Sequence, residues 1–546
     1  MKNTFRQSMS WLHTWGSLWF AWILFAVFFT GTLGVFDDAI SHWMRDPLAV
    51  TAASDDTPPP DRLQAAKIGQ AFLEKNAPKA EFWSMGLPNE DNTKLRVFWR
   101  DNPQAEFQNR ELDPVTGEDA GPSKERKTEG GHHFVHMHFE FHAGDAGIWL
   151  VGVAAMVMLV ALVSGIVVHK KIFVDFFTFR PGKGQRSWLD SHNALSVLTL
   201  PFQFMIVYTG VVAFASIYMP SAAMVRYNGD LDHFFADIQE RPAPRQVKHV
   251  DAPVAPLDGL VTAAEGRIGR EARFISVSHP GDASASARIF MRGDEAEMAS
   301  RLRGSNGSVQ FDAVSGEILD AEMPGEIRGA GAFSTFQSMR ALHFVTFGGY
   351  TIKWLYFICG MAGAAMLATG SILFMVKRRK KPAGEFGAST ARVYRVVDAL
   401  NVAGIAGLML ASVGYFWINR LVPAALPERE GWEIGLFFAL WFLTLVHASL
   451  RPTMRGWIEQ LIGTAFLCLA LPLINVLTTG DNFIAALARG DGESAGVELT
   501  AMASGLLCIV AARFVHRKSV QAPQAAKAKA GKPDAAVDAD VEAEAA

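Results

Sequence analysis

Four histidines stand at matched positions in two parts of the chain. His13 and His192 each precede a Thr-Gly pair by 17 residues, while His138 and His343 are each followed by a tryptophan after 11 residues and a glycine after 27. Neutral imidazoles from two facing helices can supply both axial ligands of a haem iron without placing net charge in a membrane. The four are therefore candidate haem ligands, as His13 with His192 and His138 with His343.

The glycines of these patterns fit the same scheme. Gly31 and Gly210 are expected at the depth of the His138 and His343 pair, and Gly165 and Gly370 at the depth of the other pair. Small residues would let a flat macrocycle lie against the helices. The alternative is that each glycine is a close-packing contact between membrane helices and each histidine is an interfacial, hydrogen-bonded residue.

The elements that position these residues are apolar. Of the 546 residues, 50% are hydrophobic and 19% are charged, and a helix needs about 20 apolar residues to span a bilayer. Eight stretches approach that length, which predicts an all-α polytopic membrane protein with about eight transmembrane helices. They are 15–36, 148–168, 194–217, 354–376, 400–418, 434–450, 461–477 and 499–515.

The distribution of charge predicts the orientation of these helices. Lys2 and Arg6 precede the first stretch, and basic clusters follow each later pair of stretches, as in the run 377–381. By the positive-inside rule the N-terminus is cytoplasmic, and segments 37–147 and 218–350 lie outside. A net charge of −3 does not indicate a nucleic-acid partner.

The first 376 residues form a duplicated unit of helix, outer segment and helix. Each outer segment contains a helical stretch, strand-like alternation and the turn pattern Asp-x-Val-Thr/Ser-Gly-Glu, beginning at Asp113 and at Asp312. Two small α+β domains are therefore expected, one inserted in each unit. The expected divisions are 1–168 and 194–376 for the repeats, 169–193 and 377–399 for cytoplasmic loops, 400–515 for a C-terminal four-helix membrane region, and 516–546 for a disordered cytoplasmic tail.

At this level the chain resembles the family of membrane proteins with PepSY domains and PepSY-associated transmembrane helices, which includes iron-regulated proteins and siderophore reductases. The resemblance covers roughly residues 1–380. It rests on the order and duplication of the motifs Leu12-His-Thr-Trp-Gly16, Thr30-Gly31, His138-Phe-Glu-Phe-His142, the segment from Trp188 to His192, and the Asp-Pro-Val-Thr-Gly turn.

Together with the repeat, this resemblance implies a di-haem reductase in the bacterial inner membrane. Two b-type haems would carry electrons from the His13 and His192 pair to the His138 and His343 pair. The acceptor would be a ferric siderophore or another periplasmic compound. No nucleotide-binding glycine-rich loop is found, so the donor is expected to be a separate cytoplasmic or membrane partner.

Two ligand assignments stay open. His142 lies four residues after His138, on the same face of a continuous helix and one turn deeper, and could replace it. His169 is a similar rival to His13, although a basic flank of the second helix is the simpler interpretation. Neither residue has a counterpart in the other repeat.

The remaining histidines have simpler interpretations. His132 and His133 are expected in a solvated loop or a weak metal contact, and His447 and His516 are expected to be structural. A different class of function also stays open, in which the protein is a non-enzymatic PepSY module for ligand binding, transport or signalling. Charged residues buried in the middle of helices would favour transport, and the first four stretches contain almost none.

Overall fold

Most of the chain forms helices long enough to cross a membrane. A computed structural model describes residues 4–45, 60–89, 93–102, 104–105, 107–119, 126–169, 180, 184–243, 245–302, 304–329, 331–380 and 386–530. Within these ranges seven helices have the length and composition of membrane spans, and one bent helix pair brings the number to as many as eight. The prediction of a polytopic, mostly helical membrane protein is confirmed.

The helices follow the predicted stretches closely. In chain order they are α1 (Phe5–Gly34), α2 (Asp37–Met44), α3 (Arg62–Asn76), α4 (His132–Phe139), α5 (Gly144–Val168), α6 (Gln185–Ala213), α7 (Ala215–Tyr218), α8 (Ser221–Arg226), α9 (Leu231–Ile238), α10 (Leu257–Ile268), α11 (Glu295–Ser300), α12 (Gly331–Phe344), α13 (Gly349–Lys380), α14 (Thr390–Asn401), α15 (Leu408–Leu421), α16 (Arg429–Leu450), α17 (Thr453–Leu469), α18 (Leu471–Thr479), α19 (Phe483–Arg489) and α20 (Gly492–Ala530).

The C-terminal region contains two irregular spans. A π-helical stretch, Val402–Gly407, joins α14 to α15 into one span. Helices α17 and α18 meet at a bend of 43° and together correspond to the predicted stretch 461–477. Trp22 of α1 donates a hydrogen bond of 2.8 Å to Oδ1 of Asn401, which joins this region to the first span.

A short helix precedes the second span of each repeat. Helix α4 ends at Phe139, and Phe141 and His142 adopt left-handed φ angles of 52° and 53° before α5 begins. Helix α12 ends at Phe344, and Val345 has a φ of 54° before α13 begins. His138 and His343 therefore lie on these short helices and not on α5 and α13, the helices that carry Trp149 and Trp354.

The two outer segments share one sheet. Its seven strands are all antiparallel and are ordered β3-β2-β1-β4-β5-β6-β7. The expectation of two separate α+β domains is corrected, because β1 of the first repeat pairs with β4 of the second. The strands are β1 (Phe82–Gly86), β2 (Leu95–Arg100), β3 (Gln108–Leu112), β4 (Ala272–Ser278), β5 (Ser286–Met291), β6 (Ser308–Asp312) and β7 (Ile318–Glu322).

Helices α3 and α10 cover one face of this sheet and bury its apolar side chains. The repeated turn pattern has the same geometry in both halves. Oδ1 of Asp113 accepts bonds from two backbone amides at 2.7 and 2.9 Å, and Oδ1 of Asp312 accepts two at 2.8 and 2.9 Å. Gly117 and Gly316 follow with φ angles of 74° and 77°, which a side chain rarely tolerates. The predicted turns are thus confirmed.

A buried polar network joins the C-terminal spans to the sheet side of the bundle, the end where α1 ends and α5 begins. Arg420 donates to Oδ1 of Asn475 at 2.8 Å and to the carbonyl of Met44 in α2 at 3.1 Å. Arg429 pairs with Glu433 at 2.5 Å, and both side chains are almost completely buried. These charges stand at helix ends and are paired, so they act as anchors between segments.

The last helix extends beyond the predicted membrane stretch. Helix α20 continues to Ala530, so residues 516–530 of the predicted disordered tail are helical. Residues 531–546 lie outside the described ranges. Most of the predicted loop 169–193 also lies outside the described ranges. Only residues 169, 180 and 184–193 of this loop are described.

Candidate functional site

Two pairs of histidine rings face each other inside the bundle. In the sheet-side pair, His138 of α4 and His343 of α12 have ring centroids 5.9 Å apart. In the distal pair, His13 of α1 and His192 of α6 have ring centroids 6.3 Å apart. The structure thus brings together the two pairs that the sequence repeat predicts, one on each side of the bundle.

Every one of the four rings is fixed by a backbone carbonyl. A carbonyl oxygen only accepts hydrogen bonds, so each Nδ1 must carry its proton, and each Nε2 keeps its lone pair free for a ligand. The Nδ1-to-oxygen pairs are His13 to Ala161 at 2.9 Å, His138 to Val27 at 2.8 Å, His192 to Met366 at 2.9 Å and His343 to Ile206 at 3.1 Å.

These carbonyls share one position relative to the repeated glycines. Each carbonyl belongs to the residue that stands four positions before a repeated glycine. The pairs are Val27 and Gly31, Ala161 and Gly165, Ile206 and Gly210, and Met366 and Gly370. A Cβ atom at Gly165 would lie 3.2 Å from Cε1 of His13, and one at Gly370 would lie 3.1 Å from Cε1 of His192. The glycines therefore make room for the imidazole to reach the helix backbone.

Sequence reasoning missed these carbonyl partners, although the spacing contained the signal. In an α-helix the carbonyl of residue i lies beside the Cβ position of residue i+4. A glycine at i+4 leaves that carbonyl open to a second donor. The glycines thus contact the histidine rings themselves, and their contact with a macrocycle stays a prediction.

The donor set fits a haem iron. Two imidazoles that bind one iron from opposite sides have ring centroids about 6 Å apart, given iron–nitrogen bonds of about 2 Å. Both observed separations agree with this value. Cavities of about 120 Å³ and 270 Å³ adjoin the sheet-side and distal pairs.

The walls of both cavities are mostly apolar. Phe28, Phe202 and Tyr356 line the sheet-side cavity. The distal cavity has a basic mouth formed by Lys377 and Arg378 at the end of α13. Apolar walls with cationic groups at one edge suit a flat hydrophobic ligand that carries carboxylates.

The chain is similar to known proteins of one family. The family model described as the PepSY-associated TM region matches residues 10–377, which contain both repeats and all four histidines. The chain belongs to this PepSY-associated transmembrane family. It is also similar to an uncharacterized protein of Pseudomonas aeruginosa, with 24% identity over 388 residues, which cover 69% of this chain and 92% of that protein.

Within this PepSY-associated fold, His142 is separated from the sheet-side pair. Because α4 ends at Phe139, His142 does not continue the helical face of His138, contrary to expectation. Its Nε2 lies 3.0 Å from Nδ1 of His133, and its ring stacks against that residue. The open choice between His138 and His142 is therefore decided for His138 as the partner of His343.

The position of His169 also differs from that of the paired histidines. It caps the end of α5 and lines the distal cavity. The ring that faces His13 is that of His192, so the geometry favours His192 as its partner.

The other histidines have structural surroundings. His132 and His133 lie on α4 and not in a loop; His132 pairs with Asp37 at 3.0 Å, and His133 is fully buried. His447 pairs with Glu459 at 2.8 Å. Among the described residues, no cluster of three or more His, Cys, Asp or Glu side chains has the geometry to hold a metal ion.

Proposed function

We propose that this protein is a di-haem reductase that moves electrons across the bacterial inner membrane to a ferric siderophore in the periplasm. The observation that carries the proposal is the fourfold repetition of one arrangement, a histidine whose Nδ1 bonds to a backbone carbonyl beside a glycine. Two such histidines face each other in each pair. A single buried histidine has many structural explanations, but none of them requires this duplication.

The residues of the chain prepare the site for its cofactor. His13 with His192 and His138 with His343 would hold one b-type haem each, and haem supplies one-electron redox chemistry at its iron. The Nδ1–H bonds fix the tautomer and the ring orientation, and they raise the basicity of Nε2. Apolar walls around each pair exclude water.

The direction of transfer follows from the distribution of charge. Arg6, Lys377 and Arg378 stand at the end of the bundle opposite the sheet, and basic flanks favour the cytoplasm. In this orientation the seven-stranded sheet is the periplasmic PepSY-like domain. Electrons would then enter at the distal pair, from a separate reduced donor, and leave at the sheet-side pair.

The proposed reaction transfers one electron to ferric iron in its chelate and gives ferrous iron, while the donor is oxidised by one electron. A hard oxygen-ligand chelate holds the ferrous ion less tightly, because its lower charge and softer character favour nitrogen and sulfur ligands. Release of iron would follow. The siderophore as acceptor rests on the family resemblance, whereas the paired histidines support electron transfer in general.

The non-enzymatic alternative receives less support from the structure. A transporter would be expected to expose charged groups to a path through the middle of the bundle. The buried charges of the C-terminal spans, such as Arg429 and Glu433, are paired with each other at the sheet-side helix ends. They explain how these spans are anchored and do not indicate a route for a substrate.

The experiment that tests the proposal is haem quantification with reduced-minus-oxidised spectra of detergent-purified protein. We expect bis-imidazole b-type bands and two haems per chain. His192→Ala and His343→Ala should each remove one haem, whereas the control His447→Ala, at the side chain that pairs with Glu459, should keep both. A colourless protein from haem-supplied cells, or unchanged haem in both pair variants, would overturn the proposal.

A further inference from the structure

The face of the sheet opposite α3 and α10 is polar across its central strands. Cross-strand pairing places Ser84, Ser276, Arg288 and Gln310 side by side in one row. Their strand neighbours, such as Ile275 and Val309, point into the apolar core on the other face. Since side chains alternate between the faces of a strand, this row must face away from the core.

A cleft of about 440 Å³ lies over this polar row. Its volume falls within the range of small-molecule binding sites. Helix α9 and residues 239, 241–243 and 245 form the other wall. Four arginines from three separate parts of the chain converge on the cleft, and they are Arg100, Arg241, Arg245 and Arg288.

Three of these arginines are held by a carboxylate. Arg241 pairs with Glu322 at 2.8 Å, Arg245 pairs with Asp312 at 2.8 Å, and Arg100 pairs with Glu81 at 3.6 Å. The side chains of all three are about 30% exposed or less. They are therefore oriented in advance, which lowers the cost of arranging them around a ligand.

Arg288 is held differently. It donates a hydrogen bond to Oε1 of Gln310, a neutral acceptor, and it makes no ion pair with a carboxylate in the described part of the chain. Burial and the nearby charge of Arg241 lower the pKa of Arg288, against the opposing effect of the carboxylates of Asp320 and Glu322. Its positive charge is thus the least neutralised of the four.

The cleft also contains donors without acceptors. The Nε atoms of Arg100 and Arg241 are buried, and neither has a hydrogen-bond partner among the described residues. A buried donor without a partner costs about 1 to 3 kcal/mol. The guanidinium groups of Arg100 and Arg241 thus keep hydrogen-bonding capacity that the described residues do not use.

We propose that this cleft binds an oxygen-rich anion and that the anion is a carboxylate-bearing ferric chelate, an assignment that rests on the proposed reductase function. Guanidinium groups form paired, charge-assisted hydrogen bonds with carboxylates. A chelate without anionic groups gains nothing from Arg288, the arginine of the cleft that has no carboxylate partner among the described residues. The cleft therefore selects among iron chelates by charge.

The same chain segment lines both the cleft and the sheet-side cavity. Tyr218 of α7 is in the wall of the cavity next to His138 and His343, and Phe235 and Arg241 are in the wall of the cleft. Residues 215–243, together with Arg245, thus contribute to the walls of both sites. A chelate in the cleft is held on the side of the molecule where electrons would leave.

The test is calorimetric binding to the purified full-length protein, with gallium(III) citrate as a chelate that cannot be reduced. We expect saturable binding, and Arg288→Gln should weaken it about tenfold or more, as expected for loss of a charge-assisted bond. Gln310→Glu should weaken it similarly, because the isosteric carboxylate neutralises Arg288. The control Arg110→Gln, on exposed β3 outside the cleft, should bind as the unaltered protein does.

Further probes separate the possible sources of the anion. Citrate alone should bind more weakly than its gallium complex, and the gallium complex of desferrioxamine B, which carries no carboxylate, should not compete. Equal affinity for citrate and gallium citrate would overturn the chelate assignment. Unchanged binding in both Arg288→Gln and Gln310→Glu would overturn the site. Binding is read without electron transfer, so a failed reductase assay with intact binding refutes only the proposed function.

Discussion

Nδ1 of His138 lies 2.8 Å from the carbonyl oxygen of Val27, and this one contact joins a short helix of the outer region to the first membrane span. It is possible because Gly31, one turn after Val27, presents no side chain to the ring. The three other candidate ligands repeat the relationship. The histidine, the carbonyl and the glycine therefore form one structural unit, used four times.

Replacing Gly31 by Ala should displace the ring of His138 and reduce haem from two to about one per chain. The added Cβ would overlap ring atoms of His138, and no small shift restores both the hydrogen bond and the contact. The measurement is haem content of the purified variant. Gly435→Ala is the control, since nothing lies within 4 Å of a Cβ atom there, and it should keep both haems.

His142→Ala should leave haem content unchanged, in contrast to His138→Ala. His142 contacts His133, and the ring that faces His343 is that of His138, so the loss of His142 removes no ligand of the sheet-side pair. It should lower the free energy of unfolding by about 1 to 3 kcal/mol, because Nδ1 of buried His133 loses its partner. If His142→Ala removes a haem and His138→Ala does not, the assignment of the pair is wrong.

The duplicated spacings were sufficient to predict the two histidine pairs and the topology that places them on opposite sides. The spacings did not exclude His142 as the partner of His343. That exclusion depends on the end of α4 at Phe139, which the spacings do not show. The residues with left-handed φ after that end are Phe141, His142 and Gly144. Glycine favours such a conformation and histidine is enriched in it, so Gly144 was a local signal for the break, whereas Phe141 gave none.

The sequence pattern also did not predict that the two repeats share a single sheet. Each half shows its own strands and its own Asp-x-Val turn, and nothing in either half indicates a partner. The pairing of Phe82 with Ser278 is between strands of different repeats. Such long-range pairing depends on how the two units pack, which the alternation of side chains within a strand does not specify.

Lowering the pH should weaken the second half of the sheet more than the first. The backbone amides of Ser315 and Val314 and the guanidinium of Arg245 outweigh the effect of burial and lower the pKa of Asp312 from 3.8 to about 2. A carboxyl with a lowered pKa in the folded state stabilises the protein fully above its unfolded pKa. This contribution is lost as the pH falls from about 4 through 2.

Thermal unfolding between pH 6 and pH 2 measures this effect. Asp312→Asn should lower the midpoint at pH 6 and reduce its dependence on pH. Asp113→Asn is the matched comparison. The backbone amides of Thr116 and Val115 lower the pKa of Asp113 in the same direction, but among the described residues Asp113 has no partner equivalent to Arg245. Equal pH dependence in the two variants would contradict the role assigned to Arg245.

Arg429→Met should destabilise the attachment of the C-terminal spans by about 3 to 5 kcal/mol, since it leaves the carboxylate of Glu433 buried without its charged partner. The measurement is the unfolding midpoint of the purified protein. Arg451→Met is the control, because its partner Glu459 and its own side chain are partly exposed, and such a pair contributes at most about 1 kcal/mol.

The double variant Arg429→Met with Glu433→Gln should recover part of the loss, because no buried charge is then left unpaired. A double variant no more stable than Arg429→Met would show that the arginine contributes through its bonds to the backbone carbonyls of Lys127 and Asn419.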